Sequence, residues 1–411
     1  MPRRKRKRTD AAPAPATPHV EVDALTLRKL SECGTRVGLT QCMEHLADAG
    51  LLAKHVEAKS VTTKRIGAAV ADHAQASTPY GPVLQTMELP IPRLRRWAYI
   101  HPLALLYHLA RISSAFGEMM QSVNVTGRPL RIIVYIDEIC PGNPLRPEKA
   151  RTLQAIYWAI ADWPQWVLQR TAAWPCFGTI RSSLVKELPG GVANLMKRIL
   201  HVFWPADGRD SFHSGVTIDV RDESLIVTGI FAGFIADEKA HKEISSTKGA
   251  SGNKPCLNCS NVFAKWLAST LALGAVTICC VDPTLFTAAS NQYVFDAYDF
   301  LASKSPGERE ALEIQLGIKY EPHGLLGCPH LRTFLRPVDH MIRDWQHTIV
   351  GGGVANVELA RALAAMKRHG IQPTLVQDWL EQFTLPKKYG KVDRGWLSKN
   401  RLGKNLVSLP G

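Results

Sequence analysis

The chain has 411 residues, of which 45% are hydrophobic and 21% charged, so it is long and apolar enough to bury a sizeable core. This excludes a disordered, collagen-like or coiled-coil chain, and it excludes a small scaffold held together by disulfides or metal alone. Lysine and arginine outnumber aspartate and glutamate by 50 to 36. The resulting net charge of +14 favours a polyanionic partner, above all nucleic acid.

The nine cysteines are irregularly spaced, which predicts free thiols in a reducing, intracellular compartment rather than a disulfide framework. The longest mostly apolar stretch, residues 267–281, is shorter than the ~20 residues that a membrane-spanning helix needs. We therefore expect no transmembrane helix and no membrane partner.

The chain opens with a basic, Ala/Pro-rich segment, which we predict to be a disordered tail over residues 1–19. Its run of adjacent positive charges is typical of a nuclear-import signal or of phosphate contacts, and a merely solubilising tail is the alternative. Without the first ten residues, which carry six positive charges and one negative, the net charge is still +9. The predicted nucleic-acid contacts in this tail are Arg3, Arg4, Lys5, Arg6, Lys7 and Arg8.

Residues 20–128 are predicted to form a helical N-terminal domain. Apolar residues recur there at spacings of three and four, and residues 66–76 and 103–120 show the same period. An ordinary helical bundle and a DNA-reading helix-turn-helix both fit this pattern.

The character of the sequence changes at Pro129, where the central α/β unit of residues 129–250 is predicted to begin. The run from Ile132 to Ile136 is apolar and rich in β-formers, as expected of a central strand buried on both faces, and it ends at Asp137. A carboxylate at a strand end stands at the rim of a sheet, where a metal ion and a phosphate can reach it. A carboxylate that faces only water is the alternative.

A second aspartate stands at a strand end later in the same unit, because the long apolar run of residues 225–236 closes with Asp237. The order strand, strand, strand, helix, strand, with an aspartate ending the first and the last, is that of ribonuclease-H-like folds. Their polynucleotide chemistry uses two metal ions held by carboxylates from distant strands. The other elements predicted in this unit are strands at residues 153–161, 174–181 and 216–220 and an amphipathic helix at residues 191–204.

Residues 251–335 are predicted to form a Cys-containing insertion. Cys256 and Cys259 make a C-x-x-C pair in a Gly/Ser/Lys-rich loop, shortly after Lys248, a candidate nucleic-acid contact. Such a pair is half of a zinc site, a redox pair or chance, and a zinc site needs two more ligands. No strand leads into the motif, which disfavours a thioredoxin-like role. The candidate further zinc ligands are His323, Cys328, His330, His340 and His347.

Residues 336–411 are predicted to form the C-terminal helical part of the core and a basic tail. Asp344 and His347 are three residues apart, so on a helix they share a face and can point into one cleft. A surface Asp–His pair is the alternative. The last residues interleave basic and aromatic side chains, which suits nucleic-acid contact and equally suits a frayed end.

Over roughly residues 131–360, these motifs together resemble the DDE transposases of the CACTA and Plavaka type. The likeness lies in the order of Asp137, then Asp237 with its Lys-Gly loop and C-x-x-C pair, then the D-x-x-H element with its glycines. The resemblance implies an α/β fold with a ribonuclease-H-like mixed sheet and flanking helices. It also implies a nuclear protein that acts on transposon-end DNA.

The resemblance further implies roles for single residues. Asp137 and Asp237 would be the first two acids that hold Mg²⁺ or Mn²⁺. Asp344 would join them as the acid of the D-x-x-H element. Cys256 and Cys259 would belong to a zinc-like insertion, for which His347 is a further candidate ligand.

The expected activity is therefore cutting and joining of DNA by two-metal phosphoryl transfer, in a protein that forms homo-oligomers. The chain departs from the family at the third acid, usually a glutamate in a helix downstream of the D-x-x-H element. Glu358, Asp378 and Glu381 are available there, but none carries a convincing motif. A truncated or domesticated transposase, a non-catalytic DNA-binding relic and a ribonuclease-H-like nuclease without transposition stay open as alternatives.

Overall fold

The computed structural model describes residues 71–124, 127–140, 151–220, 223–264, 274–278, 280, 282–344, 348–349, 354–371 and 375. The chain divides into two compact units, Met1–Ala76 and Ser77–Gly411. The first unit is described only at residues 71–76, of which 71–75 are helical. The basic tail and most of the predicted N-terminal domain therefore lie outside the described residues, and nearly all of the described residues belong to the second unit.

The second unit begins with strands, so the mainly helical structure predicted for residues 20–128 is wrong for residues 77–100. Strand β4 (Arg96–Ile100) alternates between buried and more exposed side chains, with Trp97 and Tyr99 pointing inward, which is the period of a strand and not of a helix. The two antiparallel pairs are β1 (Ser77–Thr78) with β2 (Gly81–Pro82) and β3 (Leu84–Glu88) with β4 (Arg96–Ile100).

The helical period of residues 103–120 is confirmed as two helices, α1 (Pro102–Ile112) and α2 (Ser114–Val123). They are separated at Ser113, whose extended backbone ends α1 and whose hydroxyl accepts a hydrogen bond from the Phe116 N–H to cap α2.

The remaining strands are β5 (Leu130–Ile139), β6 (Leu153–Ile160), β7 (Cys176–Arg181), β8 (Val216–Val220), β9 (Glu223–Val227), β10 (Gly229–Ala236), β11 (Val262–Phe263), β12 (Val276–Thr277) and β13 (Met341–Arg343). The remaining helices are α3 (Gln165–Leu168), α4 (Ser182–Val185), α5 (Gly191–Phe203), α6 (Glu238–Ile244), α7 (Asn291–Ala302), α8 (Pro306–Leu316), α9 (Pro329–Arg332) and α10 (Val354–Arg368).

A five-stranded mixed sheet in the order β13-β10-β5-β6-β7 forms the centre of the unit. Strands β5, β6 and β7 make an antiparallel meander, while β10 and β13 run parallel to β5 on its other side. The sheet with its flanking helices confirms the predicted mixed α/β class. The predicted strands at β5, β6, β7 and β8 and the predicted helix at α5 are also confirmed, within a few residues at their ends.

One face of this sheet is fully buried. The four even-numbered residues of β5 from Leu130 to Ile136 are at most 1% exposed, and Trp158 of β6 lies beside them at 0% exposure. The apolar stripe of α5 covers this face, with the Phe203 ring meeting the Trp158 ring edge to face at 5.5 Å. The opposite face is less covered, because Tyr135 and Asp137 of β5 are only half-buried. The prediction of a strand buried on both faces is therefore wrong for the second half of β5.

The apolar run 225–236 is not one strand, as predicted, but two strands in different sheets. Strand β9 makes a hairpin with β8, whereas β10 belongs to the central sheet. The chain passes between the two sheets at Gly229, where a Cβ would lie only 2.7 Å from the Ile132 side chain. Apolar content alone could not place this break, because the residues on both sides of it are equally hydrophobic.

Strand β10 also contains a bulge between Phe231 and Gly233 in its pairing with β5. Gly233 has a φ of +147°, and a Cβ there would lie 2.7 Å from the His340 carbonyl oxygen. The glycine therefore lets the segment that leads into β13 approach β10 closely.

The predicted insertion, residues 251–335, contains the short parallel pair β11 and β12 and the helices α7, α8 and α9. Among the residues that the structure describes, no helix combines the length and the apolar character required to cross a bilayer.

Candidate functional site

The three aspartates that the sequence singled out lie at one edge of the central sheet. Asp137 is in β5, two residues before its end, and Asp237 and Asp344 directly follow β10 and β13. These three strands are parallel neighbours, so their carboxyl ends meet at the same edge. Neighbouring strands lie about 4.8 Å apart, and the three backbones are therefore close enough to serve one site.

The register places the three aspartates in one row across the sheet. Ala236 pairs with Arg343, so the next residue on each strand places Asp237 level with Asp344. Ile235 pairs with Tyr135, so two residues further along each strand Asp237 is level with Asp137. The backbone N–H of Asp344 donates a hydrogen bond to the Ala236 carbonyl at 3.0 Å, which continues the β13 ladder to this point.

Tyr135 connects two of these carboxylates. It lies two residues before Asp137 and so on the same face of β5, and its phenol hydrogen-bonds the Asp137 carboxylate. The pKa of the Tyr135 phenol is raised well above its usual value by burial first, then by the negative charges of Asp137 and Asp344. Both carboxylates therefore act on one phenol.

Asp237 has a local role in addition. Its Oδ1 accepts a hydrogen bond from the Ala240 N–H at 2.7 Å and so caps the first turn of α6. On the next turn, the buried His241 meets the Ile342 carbonyl through Nε2 at 2.8 Å, which ties α6 to β13. The helix therefore links the strand that carries Asp237 to the strand that carries Asp344.

Carboxylate oxygens are the ligands that Mg²⁺ and Mn²⁺ prefer, and three of them at one edge fit such an ion in donor chemistry and in strand register. Within the described part of the chain, however, no three His, Cys, Asp or Glu side chains are gathered around a common metal position. The hydrogen bond that Asp237 Oδ1 accepts from the Ala240 N–H turns an oxygen of that carboxylate toward α6.

Glu138, adjacent to Asp137 in sequence, points to the opposite face of the sheet. Its Oε2 accepts hydrogen bonds from the side chains of Gln154 at 3.1 Å and Ser182 at 3.2 Å, and it lies 3.6 Å from the Lys239 ammonium. Glu138 therefore belongs to a separate polar network, and the two consecutive acids serve different faces because side chains alternate along a strand.

The C-x-x-C pair lies beside the end of β13. The Arg343 guanidinium approaches the Cys256 sulfur at 3.7 Å, and Arg343 immediately precedes Asp344. The pKa of the Cys259 thiol is raised by burial first and by the neighbouring Cys256 second. The two sulfurs are thus near each other, and Arg343 connects Cys256 to the end of β13.

Among the candidate further zinc ligands that the structure describes, the side chains of Cys328, His330 and His340 have other partners. The Cys328 sulfur is 3.5 Å from His201 Nε2, and His330 Nε2 is 2.9 Å from the Trp204 carbonyl. His340 Nδ1 accepts a hydrogen bond from the Arg336 N–H at 3.1 Å. Exposed His323 donates its backbone N–H to the Glu321 carboxylate, and His347 lies outside the described residues. A complete zinc ligand set stays a prediction.

The D-x-x-H element was predicted to lie on a helix, but Asp344 follows a short strand that the sequence did not reveal. Beyond the strand, the Thr348 N–H donates a hydrogen bond to the Asp344 carbonyl at 2.9 Å. Of the downstream acids, Glu358 is exposed in α10 and pairs with Arg361.

The predicted nucleic-acid contacts are only partly described. The six basic residues of the tail lie outside the described residues. The Lys248 ammonium pairs with Glu313 at 2.9 Å with both side chains mostly buried, so it joins the loop after α6 to α8.

Comparison of the sequence with protein-family models and with curated proteins gives no match. The fold and the site therefore define only a class by themselves: a mixed α/β protein with a row of aspartates at the carboxyl edge of its parallel strands.

Proposed function

We propose that this chain is a transposon-derived DDE-type transposase that cuts and joins DNA by metal-dependent phosphoryl transfer. One observation carries the proposal: Asp137, Asp237 and Asp344, more than 200 positions apart at the extremes, reach one edge of one sheet in adjacent parallel strands. Apart from the helix cap at Asp237, folding gains nothing from three acids in such a row, because like charges at this spacing repel one another.

The strand arrangement supports a ribonuclease-H-like core. A three-stranded meander is followed by a helix that packs on one face, and then by two strands that add in parallel on the far side of the first strand. This arrangement resembles the ribonuclease-H-like sheet, in which the catalytic acids stand at the ends of the first and fourth strands.

The proposed chemistry rests on Asp137, Asp237 and Asp344, with Asp344 taking the place of the downstream acid. Held by these carboxylates, Mg²⁺ or Mn²⁺ would activate the attacking hydroxyl and stabilise the leaving oxygen of the phosphodiester. The protein's own contribution is rigidity. The Tyr135 phenol orients the Asp137 carboxylate, and the ladder bond at Asp344 fixes the last acid.

Charge supports DNA as the partner and the nucleus as the location. The net charge is +14, and it remains +9 without the N-terminal basic run, so the positive charge is not confined to that run. We extend the proposal to a homo-oligomer, because a transposon has two ends and the row of aspartates provides one reaction centre per chain. Zinc on Cys256 and Cys259 is part of the same proposal.

The test is a DNA nicking and strand-transfer assay with Mg²⁺ or Mn²⁺, using Asp137→Asn, Asp237→Asn and Asp344→Asn. Asparagine keeps the size of the side chain, and at Asp237 it can still cap α6, while the metal-binding charge is removed. We expect each variant to lose at least about 100-fold in rate. Glu138→Gln is the matched control, because it changes the neighbouring acid on the opposite face and should retain activity. Unchanged activity in Asp137→Asn and Asp237→Asn would refute the proposal.

A non-catalytic DNA-binding relic is the second candidate, and it is favoured by the Asp237 carboxylate that is turned toward α6. This candidate predicts DNA binding that weakens with salt, together with no cleavage in the unmodified protein at any Mg²⁺ or Mn²⁺ concentration. The same assay therefore separates the two.

A further inference from the structure

Three aromatic side chains form a surface next to Asp137, which we call the aromatic platform: Tyr135, Tyr157 and Trp174. Tyr135 and Tyr157 are direct cross-strand partners in β5 and β6. Their ring centroids are 6.1 Å apart with only 26° between the planes, so the two rings are nearly parallel neighbours. The Trp174 ring meets Tyr135 edge to face at 6.3 Å and borders this pair.

The platform lies on the less covered face of the central sheet. All three of its residues are half-buried, whereas the residues that alternate with them, Val134, Ile136 and Trp158, are at most 1% exposed. Toward β10 and β13 the same face continues into Ile342, which is 36% exposed. The rings are therefore not fully used by the core, although aromatic side chains gain most when they are buried.

Polar contacts hold the rings in place. The phenol of Tyr135 hydrogen-bonds Asp137, and the Trp174 indole N–H donates to the Leu168 carbonyl at 2.9 Å. A surface that is fixed before binding loses little conformational entropy when a flat ligand stacks on it.

Positive charge lies on the same face. Thr179 of β7 is level with Asp137 of β5, with β6 between them. Arg181 lies two residues further along β7, and because side chains alternate along a strand it points to the same side of the sheet as Thr179 and Asp137. Arg181 is exposed, as is Arg170 just before the turn that leads to Trp174. Flat rings flanked by exposed guanidinium groups match a ligand of flat bases joined by phosphates, as in the aromatic sheet surfaces that bind single-stranded nucleic acid.

We propose that the aromatic platform stacks unpaired bases of a DNA strand whose backbone passes the carboxylate edge. This inference rests on the proposed function and adds a substrate class to it, because stacking needs bases that are not paired in a duplex. It places the unpaired nucleotides on the Tyr135 and Tyr157 side of Asp137. A proline-rich peptide, which also docks on aromatic rings, is the competing occupant.

The test measures binding of the full-length protein to a labelled single-stranded oligothymidylate of about 15 nucleotides, with EDTA present so that no cleavage occurs. Tyr157→Leu removes a ring, and we expect it to raise the dissociation constant between about 5-fold and 150-fold, the range for one base stacked on one aromatic ring. Tyr157→Phe keeps the ring and should bind within about 2-fold of the unmodified protein. Tyr107→Leu is the matched control. Tyr107 lies in α1, outside the central sheet, where its ring contacts the ring of Tyr80, so this variant also removes one aromatic side chain.

A photocrosslink on the unmodified protein makes the test independent of how the variants fold. Oligonucleotide carrying 5-iododeoxyuridine should attach to Tyr135, Tyr157 or Trp174, as read by mass spectrometry of the peptides. Crosslinks that lie only elsewhere overturn the inference, as does equal binding by Tyr157→Leu and the unmodified protein. Binding of a labelled proline-rich peptide is measured in the same way. If Tyr157→Leu loses peptide binding but keeps oligonucleotide binding, the platform belongs to the competing occupant and the inference is overturned.

Failure here is distinguishable from failure of the proposed function. If Asp137→Asn retains cleavage, the proposed function fails, whatever the binding result. If Tyr157→Leu binds normally while Asp137→Asn loses cleavage, only the stacking surface is wrong.

Discussion

At the scale of single residues, the structure adds Tyr135 to the residues that the sequence identified. Its signal is present in the sequence, since a side chain two positions before a strand aspartate shares its face. The hydrophobic pattern does not single it out, because Tyr135 reads as one more apolar residue of a buried strand. The contact with Asp137 depends on how deeply that face is covered, which a single strand does not reveal.

His340 gives a pH prediction at this scale. Burial, and secondarily the charge of Arg336, lowers the pKa of its imidazole from 6.5 to about 4. Between those values the unfolded chain takes up a proton that the folded chain does not, so the folded state loses stability as the pH falls from 6.5 to 4. The loss from this residue is about 3 kcal/mol, at roughly 1.4 kcal/mol per pH unit.

Urea unfolding at several pH values across this window measures the effect. His340→Asn offers an oxygen near the position of Nδ1 and does not titrate, so its free energy of unfolding should decline less steeply below pH 6.5. His213→Gln on the surface is the control and should decline like the unmodified protein. Parallel curves for the unmodified protein and His340→Asn would show that His340 does not contribute.

At the scale of elements, the site depends on β13, the three-residue strand that carries Asp344. Its pairing with β10 is short, and it is supported by the bulge at Gly233 and by the contact of His241 with the Ile342 carbonyl. Neither the strand nor the bulge follows from the hydrophobic pattern, because three residues are too few to show a period.

Gly233→Ala tests this element. The added Cβ would meet the His340 carbonyl at 2.7 Å, and a φ of +147° is strained for alanine, so β13 must shift away from β10. We expect a loss of about 1 to 3 kcal/mol in the free energy of unfolding and a loss of DNA cleavage through displacement of Asp344. Gly307→Ala is the control, because its Cβ would meet nothing within 4 Å in α8. Equal stability of the two variants would show that β10 and β13 tolerate the shift.

At the scale of the whole molecule, charge is the property to test. Each contact between a basic side chain and a DNA phosphate contributes about 0.9 to the slope of log affinity against log salt. Deleting residues 1–10 removes six positive charges, yet the remaining net charge of +9 predicts that binding persists.

Filter binding or fluorescence anisotropy at several salt concentrations measures that slope. The deletion should lower the magnitude of the slope by at most about 5, because six phosphate contacts contribute about 0.9 each. A clear salt dependence should remain. Complete loss of DNA binding would mean that the tail alone carries the interaction and that the basic charge of the rest is unrelated to it.

The sequence by itself determined the α/β class, the strands β5, β6, β7 and β8, helix α5, and the acids to examine. These follow from local periodicity, since apolar runs and helical stripes depend on neighbouring residues alone. It failed at residues 77–100, at the break within 225–236 and at β13, where short strands and a change of sheet leave no period to read.

Only the tertiary structure decided which residues meet. Parallel pairing of β5, β10 and β13 brings Asp137, Asp237 and Asp344 into one row, although the strands are far apart in the chain. It also separates Cys256 and Cys259 from Cys328 and His330, which have partners elsewhere. The physical reason is the same in both cases: register and strand order are set by packing between distant segments, and the spacing of residues along the chain does not encode them.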